Sequence, residues 1–298
     1  MSSSVSSEKK APSSEPLRSR EPVWALRKPL PASWQLWLAF VLPVLLLILW
    51  VALTSGAKPV VSGGFLPKPS DVLRVLLRDL IIGKQEWVDG KPIVVRVLLD
   101  ASIASSWRIV LSFFLAAAVA LPLGILMGAF EPINRLVEPI MAPLRYMPIS
   151  AFIPLTILWF GIEEKQKIAF LFLGVFVYLL PVVISAIRAV PEELVQTART
   201  LGASRFQVIA SVLVPAAAPD IFDSFRVMNA ISWTYVILAE FVNTKRGLGY
   251  QIQLAGNHLH IDEVFAGIFI IGIIGLLSDA LIRFGGRLLF PWREAGHV

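Results

Sequence analysis

The sequence predicts an all-α integral membrane protein with about six transmembrane helices. Its 298 residues are 56% hydrophobic and only 16% charged, and the mean hydropathy is +0.72. This is more apolar surface than one water-soluble core of this size normally buries. Long apolar runs recur along the chain, and about 20 such residues are enough to cross a bilayer as a helix.

Six apolar runs predict the spans in chain order. Four of them are uncharged and long: Gln35–Ala57, Ile109–Phe130, Tyr146–Ile162 and Ile168–Ile187. Two more, Val227–Ala239 and Val264–Ser278, are shorter, and they reach the required length if flanking charges such as Glu240 lie at the headgroup level. The first run exceeds the core of about 7 to 15 residues found in signal peptides, so we expect an uncleaved helix.

The remaining segments are predicted to lie outside the bilayer. Residues 1–33 are rich in Ser, Pro, Lys and Arg and predict a disordered cytoplasmic tail, which leaves 34–298 as one transmembrane domain. After the first span, Ser70 is expected to cap a short surface helix with leucines at helical spacing. Gly83–Lys91 is expected to form a turn or a small excursion.

Orientation follows from the positions of Lys and Arg. With six spans, both termini share one side with the short basic loops near Glu131–Arg135 and Arg188–Ser211, and the positive-inside rule places that side in the cytoplasm. The long segment Lys58–Asp100 is also rich in Lys and Arg, but long loops follow the rule weakly. The net charge of +6 has the same origin. It does not indicate nucleic-acid binding, because no basic face alternates with exposed aromatic residues.

One polar interval, residues 188–219, interrupts the apolar runs. Its sequence is RAVPEELVQTARTLGASRFQVIASVLVPAAAP. After Ala198, three residues lead to Gly202, nine more follow, and the segment closes with Val-Leu-Val-Pro at 212–215. This spacing resembles the cytoplasmic EAA loop of ABC importer permeases, in which E-A-A, three residues, Gly and nine residues precede I-x-L-P. Gln196 and Thr197 replace the first two letters of that pattern.

The resemblance extends over roughly residues 66–292. It is strongest to the nitrate, sulfonate, taurine and bicarbonate branch of ABC importer permeases, which have the type I importer fold. The segments that carry it are Met147–Leu155, Leu158–Ile162, Ala198–Ser204, Glu240, Gly247–Gly249 and Pro291–Trp292.

The resemblance also implies an assembly in the bacterial inner membrane. Two permease copies, identical or closely related, would form the pore with two cytoplasmic ATPases and a periplasmic or lipid-anchored solute-binding protein. No cofactor is expected in this chain, since the resemblance leaves ATP and Mg to the ATPases.

The resemblance assigns candidate site residues. In the family, the loop corresponding to about 188–216 couples the permease to the ATPases. The residues expected to make this contact are Gln196, Thr197, Ala198, Arg199, Leu201, Gly202, Ala203 and Ser204. Glu192 and Glu193 stand where the helix dipole favours acidic residues, in the first turn of the expected helix. Polar and aromatic residues within the spans give a weaker prediction of the translocation path: Trp159, Asn229, Trp233 and Tyr235.

Other functions fit the sequence less well. A secondary transporter driven by an ion gradient would need coupling-ion groups at mid-membrane and an internal repeat of its spans. An enzyme would need convergent catalytic residues, and P-loop and H-E-x-x-H patterns are absent, so the chain is predicted not to hydrolyse ATP itself. His258 and His260 lack a third ligand at metal spacing, so no metal site is expected. The expected substrate is a small anion, nitrate or bicarbonate before an organosulfonate such as taurine. A permease for a neutral vitamin precursor is the alternative.

Overall fold

The computed structural model describes residues 32–55, 60–88, 91–242 and 244–292. The described residues form one two-stranded hairpin and α-helices of very different lengths. In chain order the helices are α1 (Ala32–Thr54), α2 (Pro69–Leu77), α3 (Val97–Ala129), α4 (Glu131–Tyr146), α5 (Ile153–Phe160), α6 (Glu164–Arg188), α7 (Glu192–Thr200), α8 (Arg205–Val208), α9 (Val214–Glu240), α10 (Leu248–Asn257) and α11 (Ile261–Leu289).

Helix α1 belongs, except for its last two residues, to a separate unit of the chain. The protein divides into Met1–Ala52 and Leu53–Val298, and α1 provides the described part of the first unit. The helix is apolar around its whole circumference and long enough to cross a bilayer, as the sequence predicts. The predicted tail lies outside the described residues, except that α1 already begins at Ala32.

Helices α3 and α6 pack side by side and run in the same direction. At one end, Cβ atoms built on Gly124 and Gly128 would lie 2.7 Å from side-chain atoms of Val183 and Ile187 on α6. At the other end, Arg108 of α3 contacts the first residue of α6. Small residues allow two helix backbones to approach closely in a membrane. The G-x-x-x-G step of α3 is therefore used for packing within the chain.

The chain returns between these two parallel helices along α4 and α5. The two helices meet at an angle of 100° and are joined by a 3₁₀ turn, Ile149–Phe152. Met147 and Pro148 are extended at the break, because Pro disfavours helical backbone in the residue before it and lacks an N–H. The third predicted span, Tyr146–Ile162, therefore covers only this break and α5, and α4 completes the segment. Five described helices can span a membrane, or six segments if the bent pair is counted as one.

Helix α9 runs against α3 and α6, and α11 runs against α9. Helix α8 continues through a π-helical turn, Ile209–Leu213, into α9. Near its end, Tyr235 of α9 packs on Gly174 of α6, and Asn229 donates a hydrogen bond to Ser278 of α11. The four long helices therefore share two ends. We call them the Gly202 end, where α6 ends and α9 begins, and the Glu240 end, where α9 ends.

A short helix and a hairpin lie in the connection before α3. Helix α2 begins at Pro69 and its N-cap is Lys68, so the predicted cap at Ser70 is wrong by two positions. Arg78, in the π-helical turn that continues α2, pairs with Glu263 at the start of α11 (3.0 Å). The expected excursion forms antiparallel strands β1 (Lys84–Val88) and β2 (Lys91–Val95), joined by residues 89–90 outside the described part. These elements belong to the Glu240 end.

The close α3–α6 contact predicts different effects for two glycines. We expect Gly128→Ala to destabilise the protein by about 1–3 kcal/mol, because its Cβ would collide with Ile187. Gly272→Ala is the control, since no atom lies within 4 Å of its added Cβ, and alanine favours the helix by about 0.5–1 kcal/mol. Thermal unfolding of the purified protein in detergent measures both. Equal melting temperatures for the two variants would contradict the packing described above.

Candidate functional site

The segment around Gly202 turns sharply between two helices. Gly202 has φ +85°, a conformation that L side chains rarely adopt. Its N–H donates to Arg199 O (2.9 Å), and the N–H of Ala203 donates to Ala198 O (3.0 Å). These two bonds form a Schellman motif, which satisfies the last carbonyls of α7. The Ala and Gly whose spacing resembles the EAA pattern are therefore members of one helix-ending motif.

A capping box begins the helix after the turn. Ser204 Oγ accepts from the N–H of Gln207 (3.4 Å), and Gln207 Oε1 accepts from the N–H of Ser204 (2.8 Å). Such reciprocal bonds satisfy two N–H groups that have no partner inside the helix. Both sides of the turn are thus fixed by local hydrogen bonds. We refer to residues 192–208 as the α7–α8 element.

The α7–α8 element has one buried side and one exposed side. Val195 and Val208 are buried and attach it to the bundle, whereas Leu201 is 83% exposed and Phe206 is 75% exposed. Among the predicted coupling residues, Ala198 and Ala203 are half-buried. The others are exposed: Gln196, Thr197, Arg199, Leu201, Gly202 and Ser204. Large apolar side chains clustered on an exposed surface mark an interaction site.

A charged groove separates this element from the ends of α3 and α4. The groove has a volume of about 840 Å³, and its lining includes Arg199 and Arg205 of the element. Arg188 at the end of α6 donates to Glu131 at the start of α4 (2.9 Å), and Arg135 donates to the same carboxylate (2.6 Å). Charges of this density fit water or a polar partner, so the exposed face of the element does not lie in lipid.

A buried carboxylate organises the opposite end of the bundle. Glu240 is fully buried, and it accepts hydrogen bonds from Ser105 Oγ (2.7 Å), Arg108 Nη1 (2.6 Å) and the N–H of Gly249 (2.8 Å). Ser105 Oγ also accepts from the N–H of Leu248 (2.9 Å). This carboxylate therefore joins α3, α9 and the first turn of α10.

Arg108 extends the same network to a further helix. It is 2% exposed, and its Nε and Nη2 donate to both carboxylate oxygens of Glu164 on α6 (2.7 and 2.6 Å). Its Nη1 also donates to the carbonyl of Arg246 (2.8 Å). At the exposed rim, Asp100 accepts hydrogen bonds from Arg246 and raises the pKa of that guanidinium. Sequence reasoning did not identify this network.

Two glycines make room for the buried carboxylate. A Cβ on Gly247, whose φ is +132°, would lie 2.4 Å from the carboxyl group of Glu240. A Cβ on Gly249 would lie 2.9 Å from the Cβ of Glu240 and from the carbonyl oxygen of Ile237. The Gly-Leu-Gly sequence therefore lets the backbone wrap around this side chain and donate to it.

The four predicted path residues do not share one face of the bundle. Trp159 on α5 is 63% exposed. Asn229 and Trp233 face α11, and the indole N–H of Trp233 is buried without a hydrogen-bond partner among the described residues. Tyr235 packs edge-on against Phe170 of α6. The structure does not bring these four side chains together, and their role in a path stays a prediction.

The sequence from the second half of α3 to the end of α11 matches a known protein family. The model of the family described as "Binding-protein-dependent transport system inner membrane component" matches residues 120–292. The chain belongs to this family. It is thus a permease of the ABC importer type, a multi-pass membrane subunit rather than an enzyme.

Curated relatives match this permease over most of its length. It is 35% identical to the taurine transport system permease protein of Escherichia coli strain K12, over 93% of this chain and 96% of that one. It is 30% identical to the nitrate import permease protein of Synechocystis sp. strain PCC 6803, over 83% of this chain and 86% of that one.

The fold of the permease also matches that of a solved transporter. A chain of the MetNI methionine ABC transporter, in a crystal structure of inward-facing conformations, superposes with a TM-score of 0.54 at 22% identity. The superposition covers 64% of this permease and 94% of that chain. This agreement confirms the predicted type I importer permease fold.

The capping box predicts a local effect of one substitution in the permease. We expect Ser204→Ala to expose the amide N–H groups of α8 and cost about 1 kcal/mol locally, or roughly fivefold faster hydrogen exchange at residues 205–208. Ser211→Ala is the matched control, because Ser211 is exposed in the following turn and lies outside the capping box. Exchange followed by mass spectrometry measures both. Unchanged protection in Ser204→Ala would show that the box does not hold the element.

Proposed function

We propose that this permease is the pore-forming subunit of an ATP-driven importer and that its α7–α8 element binds a cytoplasmic ATPase. The observation that carries the proposal is the exposure of Leu201 and Phe206 on a rigid, polar element at one end of the bundle. Exposure of two large apolar side chains to water beside Gly202 is unfavourable for an isolated subunit, whereas a partner surface would cover them.

The connection of the element to the long helices suits the transmission of force. The α7–α8 element follows α6 and continues through the π-helical turn into α9, so a displacement of the element acts on two membrane helices at once. Leu201 and Phe206 would enter the ATPase surface, while Gly202 and the capping box keep the turn rigid. ATP and Mg would be bound by the ATPase, as the sequence resemblance implies.

The proposed orientation follows from this docking. Because the ATPases are cytoplasmic, the Gly202 end faces the cytoplasm and the Glu240 end faces outward. Helix α11 ends at the Gly202 end, so the C-terminus would be cytoplasmic, and with six crossings the N-terminus would be cytoplasmic too. A second permease copy would complete the pore. A solute-binding protein would deliver substrate at the Glu240 end.

The proposed substrate is a small anion. An organosulfonate such as taurine comes first, because the similarity is higher and longer for the taurine permease than for the nitrate permease. This reverses the order expected from the sequence, which placed nitrate or bicarbonate first. The solute-binding protein makes the main selection among substrates. The permease sequence therefore supports the class of substrate more strongly than any one compound.

Reconstitution with two variants tests the proposal. Wild-type permease in proteoliposomes with its ATPase, a taurine-loaded binding protein and ATP should take up taurine. Gly202→Val should reduce uptake more than tenfold, because a β-branched residue is strained at φ +85°. Gly202→Asn is the matched control and should keep at least half of the uptake, since Asn tolerates this conformation and its Cβ meets no neighbour.

The same preparation distinguishes the alternatives. Uptake by the permease alone under a proton or sodium gradient would identify a secondary transporter and defeat the proposal. Uptake with a nitrate-loaded binding protein and none with taurine would keep the ATP-driven pore and change the substrate. Normal uptake and normal ATPase binding by Gly202→Val would remove the role of the α7–α8 element.

The orientation predicts labelling from outside the cell. Cysteine substitutions are clean probes, because the chain contains no cysteine. We expect Ser62→Cys, in the exposed segment that leads to α2, to react with a membrane-impermeant maleimide in intact cells. Gln196→Cys, which is exposed on α7, should react only after permeabilisation. The reverse pattern would invert the proposed topology.

A further inference from the structure

We infer that Ser105, Arg108 and Glu240 are positioning residues for transport: they hold α3, α6 and α9 as one rigid body that transmits motion from the α7–α8 element to the Glu240 end. The inference rests on the proposed ATP-driven function. It concerns the end of the bundle opposite the proposed ATPase contact.

One guanidinium connects three helices of the bundle. Arg108 projects from α3 and donates to Glu240 on α9 and to both oxygens of Glu164 on α6. A planar guanidinium that donates in two directions fixes both distance and angle between its partners. Three helices are therefore joined at a single side chain, which lies about three turns into α3 and meets the first residue of α6 and the last residue of α9.

The other contacts between these helices constrain them less. Along the α3–α6 seam, the atoms nearest to Gly124 and Gly128 are apolar side-chain atoms of Val183 and Ile187. Dispersion contacts are individually weak and non-directional, so a small axial shift replaces one contact with a similar one. A hydrogen-bonded ion pair weakens steeply when its geometry changes. The network therefore sets the axial alignment that the apolar seam leaves loose.

Burial of the network points to a geometric role rather than a stabilising one. Glu240 and Arg108 are 0% and 2% exposed, and such pairs often stabilise a protein no more than apolar residues of similar size. Removal of one partner, in contrast, leaves a buried charge uncompensated. What the pair provides, and apolar packing does not, is one defined alignment of α3, α6 and α9.

The same end also holds α5. Gln166 on α6 is buried and donates to Thr156 on α5 (3.1 Å). Lys167, also buried, donates to the carbonyl of Ile162, just after α5 ends (3.1 Å). Helix α5 carries the exposed Trp159, and it is thus attached to the first turn of α6, where Glu164 meets the network. A movement of the rigid body would carry α5 with it.

The rigid body therefore receives motion at the Gly202 end and transmits it to the Glu240 end. The α7–α8 element is attached to the ends of α6 and α9 that lie far from Arg108. If the three helices slid past one another, a push on the element would be lost as internal deformation. With the network intact, the same push moves the Glu240 end as a unit.

A matched pair of serine substitutions tests this role. Ser105→Ala removes the hydroxyl that bridges Glu240 and the N–H of Leu248 without changing any charge. Ser102→Ala is the control, since Ser102 lies one turn earlier on α3 and donates to Leu98 of its own helix. The measurements, in the reconstituted complex, are basal ATPase activity, ATPase stimulation by loaded binding protein, and taurine uptake.

We expect Ser105→Ala to lower the maximal stimulation and the uptake turnover at least threefold. Basal ATPase activity and the binding-protein concentration at half-maximal stimulation should both stay within twofold of wild type. Ser102→Ala should match wild type in every measurement. Arg108→Lys should lower stimulation at least tenfold, because an ammonium group keeps the charge but cannot reproduce the two-sided fork.

The outcomes separate three cases. Stimulation within twofold of wild type in both Ser105→Ala and Arg108→Lys would overturn the inference, and so would a loss of basal and stimulated activity in equal proportion, which a purely structural role predicts. If Arg108→Lys does not assemble, Ser105→Ala alone decides. A wild-type complex that shows no ATP-dependent uptake would instead remove the proposed function, and this inference with it.

Discussion

The parallel packing of α3 on α6 is the constraint on which the rest of the permease depends. Because two consecutive long helices run the same way, the chain must return between them, and α4 and α5 make that return with a bend instead of a regular span. The C-terminal ends of these two helices also lie level with each other. As a result, Arg188 reaches Glu131 at one end and Arg108 reaches Glu164 at the other.

Much of the fold could be predicted because membrane helices are apolar over long continuous runs. The positions of α1, α3, α6, α9 and α11 follow from these runs, but their lengths do not. Helix α3 begins at Val97 and not near Ile109, since Arg108 is buried among hydrogen-bond partners and does not have to reach the headgroups. Those partners stand 56 and 132 positions away along the chain. No local spacing in the sequence could indicate such a pairing.

The candidate site also has parts that the sequence predicts and parts that it does not. The turn at Gly202 could be predicted because both of its hydrogen-bonded motifs are formed by residues a few positions apart. The break before α5 is also local, because Pro148 disfavours helical backbone in Met147, although the uncharged run Tyr146–Ile162 continues across it. Whether path residues such as Trp159 and Tyr235 face a common path depends on how each helix is rotated toward its neighbours. Polarity within a span does not determine that rotation, so the sequence could not group them.

The local hydrogen bonds of the α7–α8 element have a thermodynamic consequence for association. Ordering a backbone segment costs about 1–2 kcal/mol per residue in conformational entropy. The turn at Gly202 and the capping box at Ser204 meet that cost when the permease itself folds. A partner that covers Leu201 and Phe206 therefore binds a segment that is already ordered, and the permease loses little further conformational entropy on binding. The free energy of that contact is available for affinity, even though the exposed apolar surface is small.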